Sequence, residues 1–123
     1  MTSTRKRYDT HSTEFGLWLR EQKEIDSSLG FVTTNLDFIW ENYKTGDWML
    51  LEEKRHKGTI KLWQKQIFDR IDKLCRADNH YKGFHRLIFE NTNPDDGLIW
   101  LDGKIVTSET LIKFLQFISV AKA

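Results

Sequence analysis

One proline, one cysteine and a net charge of only +1 leave few devices in this chain of 123 residues. The lone Cys75 excludes an internal disulfide and a cysteine-rich zinc site, and it fits a reducing compartment. The near-zero net charge means the whole chain is not a polycation, so a nucleic-acid partner would be signalled only by local clusters of cations. No apolar run approaches membrane-spanning length, and "MTSTRKRYDT" has no apolar stretch behind its charges, so it is no secretory signal. A soluble cytoplasmic protein with no membrane partner is expected. A glycine-rich phosphate loop and a G-x-S-x-G elbow are both missing, and Cys75 sits among apolar residues, a poor setting for a nucleophile. His11, His80 and His85 lack metal-ligand spacing to one another. Nothing suggests an organic cofactor.

Aromatic residues and charge are plentiful. Eight Phe, five Trp and three Tyr supply much of the apolar area, and charged residues make up 30% of the chain. The length suits one domain, 1–123, able to bury a core without staples. Residues 1–9 read as a basic arm. "THSTEFGLWLREQKEI" reads as a helix with Thr10, Ser12 or Thr13 as N-cap and Glu14 in its first turn. "FVTT", residues 31–34, is a short β-prone run. A strand, a turn at "KTGD" and a second strand follow. "TIKLWQKQIFDRIDKLCRA" is helical, with Trp63, Ile67, Ile71 and Leu74 recurring at helical spacing. "YKGFHRLIFEN" reads as a central strand. "GLIWLDGKIV" is a hairpin turning at Asp102-Gly103, and "TSETLIKFLQFI" is a helix capped by Thr107 or Ser108. The order predicts an α/β protein with a mixed sheet covered by helices: an αβββαβ core over 10–90, then a hairpin and helix over 97–120.

Within "LDFIWENYKTGDWMLLEEKR", charges stand at both ends of an apolar hairpin. With Thr45-Gly46 as a two-residue turn, or "KTGD" as a four-residue loop, Tyr43 pairs with Trp48, Ile39 faces Glu52 and Asp37 faces Lys54. Alternation then puts Asp37, Glu52 and Lys54 on one face, and Phe38, Trp40, Met49 and Leu51 on the other. A three-residue loop would send Asp37 to the wrong side. Two carboxylates and an ammonium there are either a cross-strand ion pair of little worth or a hard-oxygen site for Mg²⁺.

An acid on one strand and (Asp/Glu)-x-Lys on the next, here Asp37 and then Glu52-Glu53-Lys54, resembles the PD-(D/E)XK nuclease superfamily, whose restriction-endonuclease-like core is αβββαβ. Leu36 stands where the family's name has proline. Glu14 in "STEFGLWL" matches a glutamate near the start of the first helix, found in Holliday-junction resolvases of archaeal type. Gln64 in "GTIKLWQ" resembles the small phage VRR-type nucleases.

The resemblance implies an endonuclease that hydrolyses DNA phosphodiesters with Mg²⁺, for which Mn²⁺ substitutes. Asp37 and Glu52 would be metal ligands, joined by the Glu53 carbonyl and by Glu14. Lys54 would position water and offset phosphate charge, and Gln64 would hold a water or a phosphate. Glu53's side chain should point away from the site and bond a basic residue elsewhere. Arg5, Lys6 and Arg7 in the arm, and Arg55, His56 and Lys57 after the motif, would contact phosphates, making binding salt-sensitive. The chain leaves no room for a DNA-reading domain, which argues for structure-selective cutting of junctions or branches. Cutting both strands suggests a homodimer, with the final helix (Leu111, Phe114, Leu115, Ile118) as interface or as core. A bacterial or phage-infected cell would suit so compact a nuclease. The competing readings are a non-catalytic nucleic-acid-binding or assembly module on the same fold, and an unrelated α+β protein whose charged hairpin is an interaction edge. Trp40, Trp48 and Trp63 are read as core, and Trp100 as the more exposed aromatic.

Overall fold

The computed structural model describes residues 13–118, and the chain divides into two compact units, 1–35 and 36–123. In the first unit, α1 spans Glu14–Glu21. Thr13 is its N-cap: the hydroxyl oxygen accepts the Gly16 N–H at 2.8 Å, satisfying one of the free donors of the first turn. Two short 3₁₀ turns follow, Lys23–Ile25 and Ser27–Leu29, the second closed by Gly30 at φ +101°. The "FVTT" run forms no strand, which corrects the expected third strand of the core. Its β-branched residues favour extended backbone, but a strand also needs a partner edge to bond to.

The second unit is a five-stranded mixed sheet in sequence order: β1 Phe38–Glu41, β2 Trp48–Lys54, β3 Tyr81–Phe89, β4 Ile99–Leu101 and β5 Lys104–Val106. Helix α2 (Leu62–Cys75) joins β2 to β3, which run parallel, and all other neighbouring pairs are antiparallel. Helix α3 (Ser108–Leu115) closes the described chain. These two helices cover opposite faces. On one face the Phe84 ring of β3 stacks on Phe68 of α2 at 4.7 Å, and Leu50 is buried nearby in the register. On the other, Leu87, Phe89 and Ile99 pack with Leu111 of α3, flanked by Leu101, Val106, Phe114 and Leu115. The stripe of α3 is therefore core, while Ile112 and Ile118 remain exposed.

Helix α2 begins three residues later than the pattern suggests. Its buried centre is Phe68, and Leu74, expected on the apolar stripe, lies open to solvent. Trp40, expected in the core, is also exposed, because β1 is an edge strand with one neighbour. Its indole N–H donates to the Leu115 carbonyl at 2.7 Å, satisfying one of the free acceptors at the end of α3. The Asp102-Gly103 turn forms as expected, with both residues at positive φ (50° and 86°), the conformation that a two-residue hairpin loop demands.

Candidate active site

The β1–β2 loop decides which charges meet. Asn42 donates its N–H to the Asp47 carbonyl at 2.9 Å, and Gly46 donates to the Asn42 carbonyl at 2.8 Å. The loop is thus Tyr43 to Gly46, and Glu41 pairs with Trp48, Ile39 with Leu50 and Phe38 with Leu51. The register differs by two residues from the expected one, in which Tyr43 met Trp48. A shift of two preserves the faces, since side chains alternate with period two. Asp37, just before β1, therefore comes opposite Glu52 and not opposite Lys54, and all three share the face covered by α2.

The contacts follow from this opposition. The Asp37 N–H donates to Glu52 Oε1 at 3.1 Å. The Glu53 N–H donates to Asp37 Oδ2 at 2.9 Å, fixing the aspartate from the next strand. Lys54 Nζ lies 3.6 Å from Glu52 Oε2. Glu52 is only 2% exposed and is the one charged residue in the buried set among the described residues. Burial pushes its carboxyl up, and the Asp37 charge adds to that. The Asp37 N–H and the Lys54 charge pull the other way, and the balance stands at about 7. A buried carboxyl raised by a second carboxylate is the electrostatic condition that a divalent cation relieves. Asp37 Oδ1 accepts no hydrogen bond among the described residues. No cluster of three or more His, Cys, Asp or Glu occurs among them. The donor set is therefore two hard carboxylates, a set that fits Mg²⁺, which keeps several waters.

The remaining expected residues are distributed as follows. Glu53's side chain alternates to the α3 face, as expected, but it has no basic partner among the described residues. Gln64 turns back on its own helix: Oε1 accepts the Lys61 N–H at 3.2 Å, so it caps α2. Glu14 is exposed in the first turn of α1, in the separate unit 1–35. Arg5, Lys6 and Arg7, with His11, lie outside the described residues. Arg55, His56 and Lys57 are exposed in a tight turn directly after Lys54. His56 and Lys57 both hold positive φ (55° and 58°), a conformation that costs residues with a Cβ on the order of 1–3 kcal/mol each. The neighbouring strand end holds them there: His56 donates to the Asn91 carbonyl at 2.8 Å and Lys57 to the Phe89 carbonyl at 2.9 Å.

Two further residues meet here that the sequence did not announce. In the parallel pair, Glu52 is level with Arg86 and Lys54 with Ile88. Arg86 therefore shares the face of Glu52 and Lys54. Its backbone is gripped by Asp102: the Arg86 N–H donates to Oδ1 at 2.9 Å, and the Asp102 N–H donates to the Arg86 carbonyl at 2.9 Å. Asp102 Oδ2 is taken by His85 Nδ1 at 2.7 Å, and His85 Nε2 lies 2.7 Å from the Lys82 carbonyl. With an acceptor at each ring nitrogen, His85 is structural, as expected. Burial works against its charge, but the bonds to Asp102 and to the Lys82 carbonyl outweigh that and raise its pKa. Burial likewise works against the Asp102 charge; the bonds from His85 and from the Arg86 N–H, with the charges of both residues, hold its carboxyl below the usual range.

Helix α2 follows β2 and precedes a parallel strand, so it runs antiparallel to both, and its N-terminus comes to their C-terminal ends. The carboxylate pair, Lys54 and the 55–57 turn lie toward that same end, the usual place for ligands in α/β sheets. Among the described residues no helix is long and apolar enough to cross a membrane. Comparison of the chain with protein-family models, with curated proteins and with solved structures finds no match.

Proposed function

We propose that this chain is a metal-dependent endonuclease that hydrolyses DNA phosphodiester bonds on a restriction-endonuclease-like core. The observation that carries the proposal is the opposition of Asp37 and Glu52 on neighbouring strands, with Lys54 two residues along the same face. A surface ion pair does not need a glutamate that is 2% exposed and held next to a second carboxylate, an arrangement that costs stability. The two strands before α2, where the resembled core has three, leave the motif-bearing hairpin and the crossover intact.

In this mechanism Asp37 and Glu52 would hold Mg²⁺, with the Glu53 carbonyl as the further ligand that the resemblance implies, and the cation would supply Lewis acidity toward a water and the phosphate. Lys54 orients the attacking water and stabilises the phosphate charge in the transition state. Buried Leu50 and half-buried Phe84 wall one side of the site against bulk water. The exposed Arg55–Lys57 turn neutralises neighbouring phosphates. Cleavage of both strands calls for two copies of the chain.

Plasmid nicking in Mg²⁺ tests the proposal. Wild type cuts, while Asp37→Asn, Glu52→Gln and Lys54→Ala each lose activity by at least about 100-fold, the usual scale for a group acting on the transition state. Salt-sensitive DNA binding without cutting by the wild type would favour a non-catalytic binding module. Neither activity would leave an α+β interaction protein.

A further inference from the structure

Arg86 is unclaimed by the fold. It stands on the central strand at the level of Glu52. Adjacent strands are about 4.8 Å apart, so a long side chain at this position spans the width of the site. The residue is half-buried, yet its guanidinium makes no hydrogen bond or ion pair among the described residues. The two acids level with Arg86, one on β2 and one in the β4–β5 turn, are committed. Glu52 Oε1 is taken by the Asp37 N–H and Oε2 faces Lys54. Asp102, the acid that meets Arg86 from the hairpin turn, uses one oxygen on the Arg86 backbone and the other on His85. That double grip fixes the Cα of Arg86 through its backbone, and the guanidinium adds only a through-space attraction to Asp102 with no hydrogen bond to it. An arginine held by its backbone, beside a carboxylate pair and on the same face as a lysine, is arranged to meet an anion.

We propose that Arg86 is a substrate-contacting residue, its guanidinium fork binding non-bridging oxygens of the DNA phosphodiester held at Asp37, Glu52 and Lys54. The proposal rests on the nuclease reading for the identity of the anion. A planar fork grips two phosphate oxygens at once, which an ammonium cannot do. Lys54 approaches from β2 and Arg86 from β3, so the phosphate is clamped from two strands. The exposed cations of the 55–57 turn extend the same positive track toward the C-terminal strand ends.

The test measures binding of a fluorescent duplex to the full chain in EDTA, over a range of salt, for wild type, Arg86→Met, Arg86→Gln and Arg86→Lys. Plasmid cutting in Mg²⁺ is measured separately. Removing a single phosphate-binding cation lowers the slope of log affinity against log salt by about 1. Arg86→Met and Arg86→Gln are expected to show that drop, and Arg86→Lys to restore the slope but not the full affinity. A purely structural role would not move the slope, and the Asp102 grip on the backbone survives all three substitutions. An unchanged slope and affinity in the folded Met and Gln variants would overturn the role of Arg86 while cutting by the wild type stands. Wild type that binds through Arg86 but does not cut would overturn the nuclease assignment and leave the phosphate contact in place. Wild type that binds no DNA would overturn both.

Discussion

Replacing Glu52 by glutamine should stabilise this protein at alkaline pH. The carboxyl stands at about 7 in the folded chain against an ordinary 4.5. At about 1.4 kcal/mol per pH unit, its ionisation costs the folded state about 3 kcal/mol once both states are charged. The folded value is the higher one, so the contribution of Glu52 is fully present below about pH 4.5. It is lost as the pH rises through about 7. Most of the loss, about 2–3 kcal/mol, falls between pH 5 and 8.

Glutamine keeps the shape, and its oxygen can still accept the Asp37 N–H. The value of about 7 already contains the attraction of Lys54, 3.6 Å away, so loss of that ion pair adds no separate cost. Glu52→Gln should therefore be more stable than wild type by about 1 kcal/mol at pH 5 and by about 3 kcal/mol at pH 8, the latter a rise in melting temperature of roughly 9–15 °C. Chemical or thermal denaturation at half-unit pH steps measures this. A gap between the two proteins that does not widen with pH would refute the account of Glu52 as a buried, strained carboxylate. Millimolar Mg²⁺ should stabilise wild type and leave Glu52→Gln unmoved, since only the former has the pair to bind it.

Converting the 55–58 turn to its preferred chemistry, His56→Asn with Lys57→Gly, should stabilise by about 1–2 kcal/mol and weaken salt-sensitive DNA binding; an unchanged stability would show that the positive φ values carry no strain. Gly83 combines φ +105° with a position where an added Cβ would lie 3.1 Å from His85 Nε2, so Gly83→Ala should cost about 2 kcal/mol or more in urea titration, and a neutral effect would contradict that crowding. His85, between Asp102, the Lys82 carbonyl and the Phe114 ring, should titrate above the ordinary 6.5 when its ring proton shifts are followed by NMR. Because its folded pKa is the raised one, its stabilisation is complete below about 6.5 and fades as the pH climbs past the folded value, a slope that His85→Phe should remove.

Much of the architecture was legible because it is local. Thr13 and Thr107 announced helix starts, Asp102-Gly103 announced a hairpin, and the run from Tyr81 announced a central strand. What failed was also instructive. "FVTT" has strand composition but forms no strand, and Trp40 has core composition but sits on an edge. In each case composition described the residue while its neighbours decided its use.

By spacing along one strand the sequence alone puts Glu52 and Lys54 on one face, because side chains alternate with period two, and Asp37 joins them only for a loop of even length. Only the folded chain set that parity, and with it which of the three touch. A loop of four residues beginning at Tyr43 set Asp37 against Glu52, and a parallel register with an irregularity between Trp48 and Leu50 set Arg86 level with the pair. Registers of that kind depend on how a loop closes and on how a strand from beyond the crossover helix docks. Those are long-range free energies, written in no local run of residues.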